Sequence, residues 1–119
     1  MSRDYSLYLQ DILEAVQKIQ EYVAELTFEE FLIDGKTIDA VVRNLEIIGE
    51  AVKCTPKEML ASRPDIDWKR IARFRDIIAH YYFKVDYEVV WSITQDDLDQ
   101  LAIAVSSILS DIPGGGQSS

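Results

Sequence analysis

The sequence predicts an all-α fold, an up-and-down helical bundle of about four to five main helices. Three observations predict it. Apolar residues recur at three- and four-residue steps over long stretches, which is the spacing of one helix face. Helix-start signals punctuate the chain at Thr27, Thr55, Asp67 and Asp86. The 119 residues include only five glycines and three prolines, too few for the many turns of an all-β chain. The helical domain is expected over 1–112, and 113–119 reads as a flexible Gly- and Ser-rich tail.

In order, residues 4–26 read as a long amphipathic helix. Tyr5, Tyr8, Leu9, Ile12, Leu13, Val16, Ile19, Tyr22, Val23 and Leu26 form its apolar stripe. Thr27-Phe28-Glu29-Glu30 is a capping box that starts a short helix from Phe28 to Ile33. Gly35 is expected to stop that helix in the left-handed conformation. From Lys36 the stripe resumes through Ile38, Val41, Val42, Leu45, Ile48 and Val52. Gly49 inside this helix costs about 1 kcal/mol relative to alanine, and close approach by another helix is the expected return. Thr55-Pro56-Lys57-Glu58 signals a new start: Thr55 caps, Pro56 takes the first helical position and Glu58 closes the box. Pro64 keeps that helix short. Asp67 caps a helix carrying Trp68, Ile71, Phe74, Ile77, Ile78 and Tyr81. Asp86 caps one last long helix, with Val89, Val90, Ile93, Leu98, Leu101, Ala102, Val105, Ile108 and Leu109 as its buried stripe.

Composition narrows the function. The 48% hydrophobic content suits a globular domain and is too high for disorder. No apolar run approaches the roughly 18 residues of a membrane span. Met1-Ser2-Arg3-Asp4 has no apolar signal core, and Cys54 has no second cysteine to pair with, so a cytoplasmic protein is expected. Cys54 itself reads as a small buried or partly buried thiol. The net charge of −9 counts against broad, non-specific nucleic-acid binding. It leaves room for a local basic cleft. From Trp68 to Lys84 five basic residues face the single acid Asp76, so this segment carries +4. The same segment holds His80, the only histidine.

By residue type alone, the bland readings come first. A lone histidine near a helix end is usually structural. Arg beside Asp is usually a surface pair worth at most about 1 kcal/mol. Tyr81 and Tyr82 read as core or rim aromatics, and Asp96, Asp97 and Asp99 as a solvated helix face. One His and one Cys far apart make no metal set. No Gly-rich phosphate loop or Ser-His-Asp order is present. Arg75 and Tyr82 are seven positions apart and share a helix face; His80 lies about 140° around from Arg75. Bringing Arg75 and His80 together requires a loosened helix, a bent arginine side chain or a meeting across a dimer interface.

The run Arg75-Asp76-Ile77-Ile78-Ala79-His80-Tyr81-Tyr82 matches the R-x4-H-x-Y signature of the HepT toxins, a branch of the HEPN superfamily. Arg43 to Ala51, the Trp68 helix start and Tyr82-Phe83-Lys84-Val85-Asp86 also resemble HepT, and the likeness runs from about Ser2 to Asp111. The resemblance implies a HEPN-like homodimer that cuts RNA without a metal or cofactor, within a type II/VII-like toxin–antitoxin pair. Its partner is then a minimal nucleotidyltransferase, which attaches AMP to the motif tyrosine, here Tyr82.

The residue chemistry fits that implication. Metal-free RNA cleavage needs a base at the 2′-hydroxyl, an acid at the leaving 5′-oxygen and positive charge on the phosphate. Histidine serves either proton role near neutral pH, and a two-fold dimer supplies two copies of His80. Arg75 is the natural phosphate clamp, with Asp76 positioned to orient Arg75 or His80. Arg70, Arg73 and Lys84 are the remaining candidates for RNA contact. Tyr82 is expected to be accessible and near Arg75, and Tyr81 packed. The competing reading is a non-catalytic helical dimer that binds a nucleotidyltransferase or nucleotide through the same cleft.

Overall fold

The computed structural model describes residues 4–76 and 86–112. Within them the protein is an all-helical bundle, and no residue is in a strand. The elements are α1 (Tyr5–Val23), α2 (Phe28–Leu32), α3 (Gly35–Cys54), α4 (Lys57–Leu60), α5 (Trp68–Ala72), a 3₁₀ turn (Arg73–Arg75), α6 (Tyr87–Asp96) and α7 (Leu98–Asp111).

Local chemistry starts most of them. Asp4 accepts from the Ser6 amide at 3.0 Å ahead of α1. The Thr27 capping box forms in full: the Glu30 amide donates to Thr27 Oγ1 at 3.1 Å and the Thr27 amide to Glu30 Oε1 at 2.9 Å. Asp67 accepts from the Arg70 amide, and Asp86 from the Glu88 and Val89 amides. Each such bond satisfies an amide that helix geometry leaves unpaired, and a cap typically stabilises by about 1 kcal/mol.

Two starts differ from expectation. Gly35 is not a left-handed stop; it is the first residue of α3. Asp34 decides this, because its carboxylate accepts from the Thr37 amide (3.1 Å) and hydroxyl (2.8 Å) and so caps the next helix. Those bonds hold the Asp34 carboxyl below its ordinary pKa. Thr55 does not cap α4. Its buried hydroxyl donates back to the Ala51 carbonyl at 2.8 Å, at the end of α3. Pro56 consequently sits one place outside α4, which begins with no side-chain cap. A carbonyl left over at a helix end is the nearest acceptor for a hydroxyl facing the core.

The α1 and α3 stripes pack together as the main seam. Leu9, Ile12, Val16 and Ile19 enter one core with Val41, Val42, Leu45 and Ile48, and α7 adds Leu101, Val105 and Ile108. Full burial of each such side chain contributes about 1.5–3 kcal/mol. Phe31 of α2 is fully buried, with its ring 5.1 Å from that of Trp91 on α6. Tyr5, Tyr22 and Val89, expected in the stripes, are exposed instead. The last long helix is divided at Asp97 (φ −102°, ψ −28°) into α6 and α7. The stripe steps five residues from Ile93 to Leu98 across this point, a lapse in the three- and four-residue spacing that the one-helix expectation passes over. Among the described residues no helix is long and apolar enough to cross a membrane.

Candidate functional site

The site is built on the crossing of α5 and its 3₁₀ extension over α3. Ile71 and Phe74, one turn apart, are both buried and pin the segment to the core. At the crossing point α3 carries Gly49. A β-carbon there would lie 2.7 Å from the Arg75 amide nitrogen and 2.8 Å from the Ala72 carbonyl oxygen. Both are backbone atoms that cannot swing aside. Hence the expected close approach at Gly49 is real, and what approaches is the cationic segment itself.

That backbone leaves the α-helical path at Arg73–Arg75. A 3₁₀ turn has about three residues per turn rather than 3.6.

Each basic residue of the described segment has its own setting. Arg75 is half-exposed, and its Nη1 lies 3.2 Å from Glu50 Oε1, a carboxylate that is itself 57% exposed. Arg73 and Asp76 are exposed. Arg70 turns the other way: its Nη1 lies 2.8 Å from Asp97 Oδ2, and its guanidinium carbon sits 5.8 Å from the centre of the Phe74 ring. Asp97 Oδ2 is buried and receives no well-directed hydrogen bond, so the guanidinium charge is what offsets its desolvation. Asp97 is therefore not part of a solvated acidic face. His80, Tyr81, Tyr82 and Lys84 lie outside the described residues, as does 113–119.

Nothing in the sequence singles out Glu50 as the partner of Arg75. Its place beside Arg75 follows from Gly49, since the residue after a crossing point flanks whatever crosses. Glu50 also lines a small groove of ≈ 200 Å³ between α1 and α3, with Tyr8, Asp11, Ile47, Ala51 and Cys54. Cys54 is exposed, against the expectation of a buried or partly buried thiol, because it is the last residue of α3 and lies off the packed stripe. Among the described residues no group of three or more His, Cys, Asp or Glu could hold a metal ion.

The fold and the crossing together define a helical domain that presents an arginine-bearing segment over a glycine of its central helix. Comparison with known proteins sharpens this. Residues 12–108 match the family model "Ribonuclease HepT-like". The chain is 39% identical over 117 residues to "Putative RNase MJ0127" of Methanocaldococcus jannaschii, covering 98% of this chain and 97% of that protein. It is 46% identical over 101 residues to "Probable ribonuclease HepT" of Thermococcus cleftensis, covering 85% and 92%. A third relative, "Putative RNase TTE0752" of Caldanaerobacter subterraneus, is 40% identical over 102 residues, covering 86% and 91%. No solved structure matches at the same stringency. The chain belongs to the HepT-like family of HEPN-type ribonucleases.

Proposed function

We propose that this protein is a metal-independent endoribonuclease, acting as a homodimer and as the toxin of a type II/VII-like toxin–antitoxin pair. One observation carries the reading. The family's names speak of ribonuclease, and the segment bearing Arg75 is pinned to the core while its guanidinium reaches solvent, paired among the described residues with an exposed glutamate. Such a cation can exchange Glu50 for a phosphate at little cost, because an exposed pair contributes at most about 1 kcal/mol.

In this mechanism Arg75 grips two phosphate oxygens. One His80 takes the proton from the 2′-hydroxyl as the P–O2′ bond forms. A second His80, from the other protomer, protonates the 5′-oxygen as the P–O5′ bond breaks. The products are a 2′,3′-cyclic phosphate and a free 5′-hydroxyl. Asp76 orients Arg75 or His80. Arg73 and Lys84 add charge along the strand. Arg70 contributes less to RNA contact than these, because Asp97 already engages it. Tyr82 is the acceptor of AMP from a nucleotidyltransferase partner, whose added phosphate and purine occupy the place of RNA.

The test is incubation of the purified protein with total RNA beside a His80→Ala control, with and without EDTA. Cleavage by the wild type alone, indifferent to EDTA, is expected. Activity that vanishes with EDTA and returns with a divalent ion sinks the acid–base scheme. Lack of cleavage with intact binding of the partner favours the non-catalytic dimer. Light scattering that finds only a 13.6 kDa species at micromolar concentration removes the dimer. Mass spectrometry after treatment with the partner and ATP should place AMP on Tyr82; an adduct elsewhere refutes that assignment.

A further inference from the structure

A second place on the molecule suits RNA. Between the end of α3, α4 and the start of α5 lies a cleft of ≈ 400 Å³, within the roughly 300–1,000 Å³ range of small-ligand sites. Its floor and walls include Leu60, Trp68 and Ala72. Lys53, Lys57 and Lys69 also line it, and all three are exposed. Among the described residues none of the three lies within ion-pairing distance of a carboxylate. In a chain of net charge −9, three uncompensated lysines around one apolar hollow are complementary to an anion with a flat, apolar body.

The wall groups narrow the choice. The Trp68 indole N–H donates to the Arg63 carbonyl at 3.0 Å, so the ring offers the cleft its carbon surface and not a donor. The Thr55 hydroxyl is likewise turned to Ala51. The hollow therefore has an aromatic surface and cations, with no other side-chain hydrogen-bonding group on offer among the described residues. That pattern binds bases by stacking and backbone phosphates by charge, without reading sequence. An acidic peptide would meet the same lysines, but a hollow sized for one small ligand suits a single nucleotide better than an extended segment. The cleft also adjoins the catalytic segment. Ala72 lines it, and the Ala72 carbonyl lies with the Arg75 amide over Gly49. Trp68 and Arg75 are seven residues apart, about 12 Å along the α-helical and 3₁₀ segment, so one single strand can reach both.

The geometry points to this cleft as a base-binding subsite for single-stranded RNA. It holds a nucleotide that flanks the phosphate engaged by Arg75, with Trp68 against the base and Lys53, Lys57 and Lys69 around the backbone. The ligand class rests on the ribonuclease reading; the test does not need cleavage.

The probe is 2′-O-methyl hexa-adenylate, which lacks the attacking hydroxyl and stays whole. Binding should quench the fluorescence of Trp68, assigned by loss of the change in Trp68→Phe but not in Trp91→Phe. Anisotropy of the labelled probe should show at least tenfold weaker binding to Lys53→Glu/Lys57→Glu/Lys69→Glu. The slope of log affinity against log salt should fall by about two, from roughly 0.7 per single-strand phosphate contact. Ala61→Phe, which narrows the cleft without changing charge, should also weaken binding and covers the case of a misfolded triple variant. In cleavage assays the triple variant should raise KM with kcat unchanged. A quench by an acidic, phenylalanine-containing peptide but not by the oligonucleotide overturns the assignment in favour of a peptide partner. RNA cleavage without any Trp68 response, or with wild-type KM in the triple variant, overturns it outright. A Trp68 response in a protein that cleaves no RNA upholds the cleft and refutes the nuclease reading instead.

Discussion

Arg70 and Arg75 stand on the same cationic segment, and each faces one carboxylate, yet the two pairs differ in kind. Arg70 meets Asp97 at 2.8 Å, at the corner where α6 gives way to α7, over the ring of buried Phe74. The carboxylate oxygen it faces is buried. Arg75 meets Glu50 at 3.2 Å, where both side chains are well exposed to water. Removing Arg70 strands a carboxylate whose facing oxygen is shut off from water, whereas Arg70 itself is 42% exposed; removing either partner of the second pair lets water take over. Similar residue types thus sit in two settings: Arg70 ties α5 to the α6–α7 corner, and Arg75 pairs in the open, where the proposed mechanism needs a charge that can change partner.

The largest expected effect tests this division directly. Arg75→Ala should lower RNA cleavage by at least about 100-fold, the scale of losing one donor to a charged transition state, with an unchanged melting temperature. Arg70→Ala should do the reverse, losing about 1 kcal/mol of stability and little of kcat. Thermal melts and single-turnover cleavage, run on both variants, decide the matter. Equal loss of activity in both would mean that Arg70 also contacts RNA and that the distinction fails.

Gly49→Ala acts on the support beneath Arg75. The new β-carbon must push away backbone at Ala72 and Arg75. Overpacking of this kind costs about 1–3 kcal/mol, set against the roughly 1 kcal/mol that alanine regains as a helix former. A melting temperature lower by several degrees, together with reduced cleavage, is expected. Wild-type stability and activity in this variant would show that the crossing is looser than described and does not position Arg75.

The smallest effect concerns Glu50. If it merely waits beside Arg75, Glu50→Gln removes a competitor for the guanidinium. KM for RNA should then fall by no more than about fivefold, which corresponds to a pair worth at most about 1 kcal/mol. A rise in KM, or a fall in kcat, would make Glu50 a positioning group and bring the two arginine pairs closer in character.

Helix starts and the main seam were legible in the residues because their causes are local. A carboxylate or hydroxyl three places ahead of an unpaired amide caps it in almost any context, as at Thr27, Asp67 and Asp86. The stripes of α1 and α3 are spaced for one face, and water drives that face inward. Even Gly49 announced a close neighbour, since a glycine within a helix is unfavourable without one. Tertiary structure decided the rest. Thr55 and Gly35 each had two locally reasonable roles, and the choice lay with the buried end of α3 and with the Asp34 carboxylate. The pairing of Arg70 with Asp97 and the meeting of Glu50 with Arg75 join residues far apart in the chain. So do Lys53, Lys57 and Lys69, which become one basic rim only when α4 and α5 fold over the end of α3. Local pattern sets which face of a helix is dry. Which charge stands opposite which depends on how helices cross, and the chain acquires that only once the core has closed.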